Sequence, residues 1–599
     1  MIYGANPVPS GGVQFRVWAP APARMALRIA GREPIPMNRS GEDFELFVPD
    51  ARTGDRYFFI LDGAEERPDP RSRLQPEGVH GRSEVVDANS FAWSDAAWTG
   101  IHLRDYLLYE LHVGTFTQQG TFGGVQSKLS YLRDLGVTAI ELMPVAQFPG
   151  DRNWGYDGVD LYAPHSSYGG PNGLKALVNA AHEIGLAVVL DVVYNHIGPE
   201  GNYLGGFGPY FTTRYQTPWG PAINYDGPGC DGVRQFFIEN ALYWLTEYHI
   251  DALRLDAIHG IFDFSAFHVL AELRDRFHAE AQRLGRRAFV IAESDLNDVR
   301  VIQRRQQGGY ALDAQWHDEF HHSVISVLTG GSRGYLAGFG RLSHIQKAIT
   351  HGFVYDGIYS SYRKRRFGNS SKDQPGERFV AFVQNHDQIA NTAQGFRLSE
   401  LVTIEEAKMA ALLLIGSPYL PLLFMGEEFA ETAPFLYFTS HGDRALARAV
   451  SEGRRQEFAE FAGGGEFADP QAVSTFEQSR LSWQLLERAG HAEVLQFYRE
   501  LLALRKRWPC LANCRKDLTT VHVEEDAALL RIERADPSGS QATLLFNFSP
   551  DSAEFRFQRN LPPGPPAVST RDEPAKSAGM IRLGGRSAAL YLSQQNLAH

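Results

Sequence analysis

Eight short apolar segments recur through the middle of this chain, and their spacing constrains the fold more than any other feature. They are YLLYELHV, VTAIELMPV, AVVLDVVYN, IDALRLDA, AFVIAES, YALDAQW, RFVAFVQNHD and LPLLFMGEE. Several are nearly continuous apolar runs, as expected of parallel strands buried on both faces. Between them the spacing turns helical: Val125, Leu129 and Leu132 share a face, as do Leu174, Leu177, Val178 and Ala181. Gly136 and Gly185 stand where helix C-caps belong. Eight β-then-α units predict an α/β protein with a (β/α)8 TIM barrel. A doubly wound open sheet is the alternative, but no glycine-rich phosphate loop follows the first segment.

The flanks read differently. Residues 1–97 alternate over VQFRVWAP and RYFFILDG, with turn residues at short intervals, and predict an N-terminal β-sandwich. Residues 98–508 hold the barrel and end in the amphipathic tract HAEVLQFYRELLALRKRW; residues 509–599 return to β character and predict a C-terminal β-sandwich. Two connections exceed simple barrel loops, at 196–232 and 429–490. Both leave the C-terminal ends of strands, where barrel enzymes carry their chemistry.

The formal net charge is −12, and the one basic cluster, Arg363–Arg366, reads as a solvated loop. This argues against nucleic acid as the main partner. The three cysteines, Cys230, Cys510 and Cys514, form no disulfide framework and lack zinc-site spacing, which suits a reducing cytoplasm. The N-terminal tract has no basic segment before an apolar one, so no signal peptide is expected. The longest apolar tract, 409–425, is broken by Gly416, Pro418 and Pro421 and is too short for a typical membrane span. It reads as a buried helix running into a buried strand. Nothing specifies an oligomer, and a monomer or weak oligomer is expected.

Polar residues collect at the ends of the predicted strands. The third ends in Asp191 to His196, the fourth in Arg254-Leu255-Asp256, the fifth in Glu293 and the seventh in Asn385-His386-Asp387. An isolated carboxylate in a buried strand is costly, so such a set at one rim points to chemistry. Cleaving a glycosidic bond needs a protonated carboxyl on the leaving oxygen and a carboxylate at the anomeric carbon. Arg254, two residues before Asp256 and on the same strand face, should keep Asp256 ionised. Glu293, facing other carboxylates, should be held protonated. A retaining mechanism would place the two carboxyl groups roughly 5–5.5 Å apart.

The tracts DVVYNH (191–196), DALRLDAIH (251–259), IAES (291–294) and FVQNHD (382–387) resemble the conserved regions of the α-amylase family of glycoside hydrolases, in the family's order. The resemblance covers about residues 100–508. It implies Asp256 as nucleophile, Glu293 as acid/base and Asp387 as transition-state stabiliser. It further implies Arg254, His196 and His386 as contacts to the sugar at the cleavage point, Tyr156 as its stacking platform, and His259 toward the leaving group. Plainer readings stand beside these: Tyr156 as a core aromatic, His196 and His386 as strand-end caps, His259 as structural. Asn195 resembles a calcium-binding position of true α-amylases, but the other oxygen ligands are not recognisable in 196–232, so no metal and no cofactor are expected.

Further tracts narrow the substrate. RPDPRSRLQPEGVHGRSEVVD (67–87), LDVVYNHIGPEGNYL (190–204), DAQWHDEFHH (313–322) and GEEFAETAPFLYFTSH (426–441) resemble a branch of that family that releases trehalose. The resemblance implies hydrolysis of the α-1,4 bond beside the terminal trehalose of maltooligosyltrehalose, leaving a maltooligosaccharide. It also implies maltooligosyltrehalose synthase as functional partner. Glycogen branching enzyme is the nearest alternative, and a non-catalytic glucan-binding protein on a degenerate barrel is a third. Candidates for recognising the 1,1-linked glucose pair are Trp219, Tyr225, Phe435 and Tyr437. Trp18 could bind glucan at a distance, but its place on an alternating strand favours packing.

Overall fold

The computed structural model describes residues 3–331, 333–390, 392, 394–459, 467–557, 561–571 and 573–594. Eight parallel strands close a barrel in chain order: Leu108–Leu111, Ala139–Leu142, Ala187–Val192, Ala252–Leu255, Phe289–Ala292, Ala314–Trp316, Phe379–Ala381 and Leu420–Phe424. The first and eighth pair with Leu108 opposite Leu422, so the sheet has no open edge and is not doubly wound.

Alternate residues of each strand point inward. Low in the barrel, Leu108, Ala139, Val189, Ala252, Ile291, Ala314, Val380 and Leu422 belong to one buried apolar cluster. Two residues further along four of these strands stand Glu110, Glu141, Asp191 and Arg254, all buried. The barrel interior therefore turns from apolar to ionisable on approaching its C-terminal rim.

Outside, the helices follow from their sequences. Gly170–Glu183 buries Leu174, Leu177, Val178 and Ala181 on one face. Ile404–Gly416 begins at a capping box: the Thr403 hydroxyl accepts from Glu406 N–H while the Glu406 side chain accepts from Thr403 N–H. This helix runs into the eighth strand, so the apolar tract 409–425 is consumed in the barrel. Among the described residues no helix is long and apolar enough to cross a membrane.

Before the barrel, two antiparallel sheets pack face to face. One carries Val13–Trp18 and Asp43–Val48, the other Met25–Ile29 and Arg56–Leu61. Phe15 and Tyr57 meet edge to face at 5.0 Å between centroids. Trp18 is buried: its ring lies 5.4 Å from Tyr210, and its Nε1 donates to Glu42. A Cβ on Gly232 would stand 2.2 Å from the Trp18 ring, so glycine there permits the docking of the sandwich on the barrel. Beyond the barrel, Thr519–Glu524, Leu529–Ala535, Ser540–Asn547, Ser587–Gln594 and Val568–Ser569 form a five-stranded sheet, covered by a three-stranded one. Arg534 of this unit donates to the carbonyls of Gly416 and Ser417, anchoring it to the barrel.

The 196–232 connection contains the hairpin Phe211–Thr217 and Gly220–Ile223, and ends earlier than expected because the next helix starts at Cys230. The 429–490 connection carries the helices Arg444–Ala459 and Val473–Gln478, while 460–466 lies outside the described residues. A third long connection, 317–378, was not anticipated. Its helices Asp318–Thr329 and Leu342–His351 have ordinary amphipathic patterns and read as barrel helices, although the connection is as long as 429–490.

Candidate active site

The fourth strand delivers Arg254 and Asp256 to the rim two residues apart. Arg254 Nη1 donates to Asp256 Oδ1 and to Asp191 Oδ2, both at 2.7 Å, and its Nη2 stands 3.8 Å from Glu293 Oε2. Its guanidinium lies over the Trp316 ring at 4.2 Å. Asn195 Nδ2 donates to Asp256 Oδ2 at 2.9 Å. Burial pushes the Asp256 carboxyl up, but Arg254, His196 and the bonds from Asn195 outweigh it, and the group is held below the usual carboxylate range.

Glu293 behaves oppositely. Burial is the largest cause of its shift, and the charges of Asp256, Asp318 and Asp387 add to it, so its carboxyl is held well above the ordinary range despite Arg254. Neighbouring carboxylates alone were expected to do this; the structure gives the larger part to burial. Two carboxyl groups flanking one arginine are thus pushed apart in acidity, the arrangement that separates an acid from a nucleophile.

Tyr156 and His386 stack at 5.3 Å between centroids, and Tyr156 OH lies 2.8 Å from His386 Nε2 and 2.7 Å from Asp191 Oδ2. His386 Nδ1 lies 2.5 Å from Glu110 Oε1. His196 Nε2 lies 2.9 Å from Tyr156 O, and its ring stacks on exposed Trp219 at 4.5 Å. His259 Nδ1 accepts from Asp295 N–H at 3.4 Å. Asp387 lies in the first turn of the short helix His386–Ala390 and lines the same cavity as Glu293. Asp256, Glu293, Asp387, Arg254, His196, His259, His386 and Tyr156 therefore gather at one rim.

A cavity of about 490 Å³ opens on the Glu293 side. Its wall comes largely from the unanticipated 317–378 connection, with Asp318, His322, Tyr335, Tyr355 and Arg363 among the lining residues. Arg363 pairs with Asp295 and lies 3.9 Å over the Phe367 ring, so part of the basic tract read as solvated belongs to the site. None of the four aromatic candidates lines that cavity. Tyr225 is buried with its hydroxyl donating to Tyr194 O, and Phe435 is fully buried against Trp154. Trp219 remains exposed beside His196, and half-buried Tyr437 packs edge-on to Trp154.

Glu110, on the first strand, was missed as a site residue. The signal was present: a carboxylate inside the apolar run YLLYELHV. Asn195, compared with a calcium ligand, spends its amide on Asp256 and its oxygen on His196. Among the described residues no cluster of three or more His, Cys, Asp or Glu side chains could hold a metal ion.

A closed parallel barrel with an arginine between two carboxyl groups of opposed acidity at its C-terminal rim defines the α-amylase class of glycoside hydrolases. The model of the α-amylase catalytic domain matches residues 86–216. A malto-oligosyltrehalose trehalohydrolase of Saccharolobus solfataricus is 48% identical over 503 residues, covering 84% of this chain and 86% of that protein. The crystal structure of a candidate alpha amylase from Salmonella typhimurium superposes with a TM-score of 0.90 at 41% identity, covering 99% of both chains. A 1,4-alpha-glucan branching enzyme of Shewanella is more distant, at 28% identity over 70% of this chain and 60% of that protein. The chain belongs to the malto-oligosyltrehalose trehalohydrolase family.

Proposed function

We propose that the protein hydrolyses the α-1,4-glucosidic bond beside the terminal trehalose of maltooligosyltrehalose, releasing trehalose and a shortened maltooligosaccharide. The observation that carries the chemistry is the opposed acidity of Asp256 and Glu293 on either side of Arg254. Asp256 attacks the anomeric carbon as Glu293 gives its proton to the glycosidic oxygen. The carbon–oxygen bond breaks, trehalose leaves, and a glycosyl ester on Asp256 remains. Glu293, now a carboxylate, takes a proton from water; the water oxygen attacks the same carbon and restores Asp256 with net retention.

In this reading Asp387 holds sugar hydroxyls as the ring flattens. Tyr156, His196, Arg254 and His386 hold the sugar at the cleavage point, and His259 faces the leaving group. The cavity beyond Glu293 receives the trehalose; its volume of about 490 Å³ lies within the roughly 300–1,000 Å³ common for small-ligand sites. Residues 1–97, 98–508 and 509–599 act as accessory sandwich, catalytic barrel and C-terminal sandwich.

The substrate must be supplied by an enzyme that converts the reducing end of a maltooligosaccharide into a 1,1-linked pair, a maltooligosyltrehalose synthase. Free cysteines at 230, 510 and 514 support a cytoplasmic location. Incubation with maltooligosyltrehalose should release free trehalose. Branching of amylose with no new reducing ends would assign the chain to the transferases instead.

A further inference from the structure

The carboxylates of the polar layer have no part in the steps above, and one of them, Glu110, touches a residue that meets the sugar. Glu110 comes from the first strand and is 1% exposed. Its Oε1 lies 2.5 Å from His386 Nδ1, and its Oε2 accepts from the His386 backbone N–H at 3.2 Å. On the other side of the ring, Nε2 lies 2.8 Å from Tyr156 OH. The tyrosine hydroxyl has a single proton, directed to Asp191 Oδ2 at 2.7 Å. That oxygen also accepts from Arg254 Nη1 at 2.7 Å. An ionised carboxylate only accepts. Tyr156 therefore donates to Asp191 and accepts from His386, while Glu110 accepts from the opposite nitrogen. Both ring nitrogens then carry protons.

We propose that Glu110 is the counter-ion that holds His386 as an imidazolium, fixing both the charge and the orientation of the ring that meets the sugar. Glu110 is a positioning residue, since it acts through His386. The inference rests on the reading of His386 as a sugar contact. The charged and titratable groups facing His386 are Glu110, Tyr156, Asp387, Arg254 and His112. Burial works against the cation, and so does Arg254. The charge and hydrogen bond of Glu110, with Asp387 behind them, outweigh both, and the ring is held above its ordinary value. Glu110 also begins a chain of bonds through His386, Tyr156, Asp191 and Arg254 to Asp256, linking the first strand to the fourth across the barrel mouth.

The test is the protonation state of His386 in the full chain labelled with 15N-histidine. Its signal is the one lost in His386→Gln. In the wild type it should remain doubly protonated above the ordinary histidine value of about 6.5. In Glu110→Gln it should titrate roughly one to three pH units lower, and Glu110→Asp should restore the wild-type behaviour. The alkaline limb of kcat/KM should move to lower pH in Glu110→Gln, with no further movement when that change is added to His386→Gln. Equal titration of His386 in the wild type and Glu110→Gln would overturn the proposal. If Glu110→Gln does not fold, a neutral His386 tautomer in the wild type at neutral pH would overturn it. A wild type that cleaves plain maltooligosaccharides but releases no trehalose would remove the substrate assignment alone, because the pH comparison can be read on those glucans.

Discussion

The backbone amide of Ala257 donates to Glu293 Oε2 at 2.5 Å. The residue following Asp256 thus holds Glu293, so one turn of chain sets both carboxyl groups. Its neighbours are tied as well: Asp256 N–H donates to Val192 O at 3.1 Å, and Ile258 N–H to Glu293 O at 3.0 Å. The turn requires Ala257 to adopt φ +38°, in the left-handed region, which costs a residue with a Cβ about 1–2 kcal/mol. A β-branched side chain fits there worse still. Ala257→Val should lower stability by about 2 kcal/mol and reduce kcat by displacing the amide, while Ala257→Gly should stay within about 1 kcal/mol of the wild type. Urea unfolding and kcat on maltooligosyltrehalose check both; a Val variant as stable as the wild type would show that the turn carries no strain.

Glu293→Gln keeps the shape of the acid but leaves no transferable proton. Turnover should fall by roughly 10²–10⁴-fold. A substrate whose leaving group is already acidic should suffer less, because its departure needs little protonation. The fold should survive, since the group is held protonated at this site anyway. Steady-state rates on the two substrates, with a melting curve for each protein, measure this. Equal losses on both substrates would remove Glu293 from the acid role.

The acidity of the pair also sets the pH profile. Asp256, held low, stays ionised as pH falls, so the acid limb lies below the ordinary carboxylate range. Glu293, held high, keeps its proton as pH rises, and the rate falls as that proton, or the one on the His386 ring, leaves. Asp318 contributes to that elevation, and burial raises its own carboxyl to about 7. Asp318→Asn removes a negative charge that forms above that pH. Glu293 then loses its proton more readily, and the alkaline limb of kcat/KM should shift to lower pH. A shift to higher pH would mean that Asp318 does not act on Glu293 through its charge.

How much of this was legible in the sequence follows from what each signal reports. Strand periodicity reports burial, so the eight strands and the polar residues breaking their ends, such as Asp256 and Glu293, stood out. Glu110 and Glu141 break apolar runs in the same way, but within strands instead of at their ends; reading only strand ends passed over them. The cavity wall was hidden for another reason. The helix Asp318–Thr329 buries an ordinary apolar face while its first residue lines the cavity, and a sequence cannot show which polar end faces a chamber. Residue type misled in the same way at Tyr225 and Phe435. Aromatic rings serve cores and sugar sites alike, and only packing decides between them.

The base of the fourth strand is held by a histidine set between two carboxylates. His182, on the helix Gly170–Glu183, lies with Nδ1 2.8 Å from Asp95 Oδ2 and Nε2 2.9 Å from Asp251 Oδ2. Asp95 belongs to the segment joining the N-terminal sandwich to the barrel, and Asp251 directly precedes the strand that carries Arg254. Asp95 also takes His249 Nδ1 at 2.8 Å and Arg286 Nη2 at 3.1 Å, and Trp98 Nε1 donates to Asp251 at 2.7 Å. Burial works against a charged His182, but hydrogen bonds to Asp251 and Asp95 outweigh it, and the ring is held above its ordinary value. That stabilisation is fully present below the unfolded-state value of about 6.5 and is lost as pH rises through the higher folded-state value. Asp95→Asn leaves His182 with Asp251 alone and takes the carboxylate from His249 and Arg286, which should cost about 3–5 kcal/mol at pH 6. Its melting temperature should be well below the wild type there, and the gap should narrow as the pH rises above neutral. Thermal melts of both proteins from acid to alkaline pH provide the measurement; a constant gap across that range would show that His182 is not the titrating group.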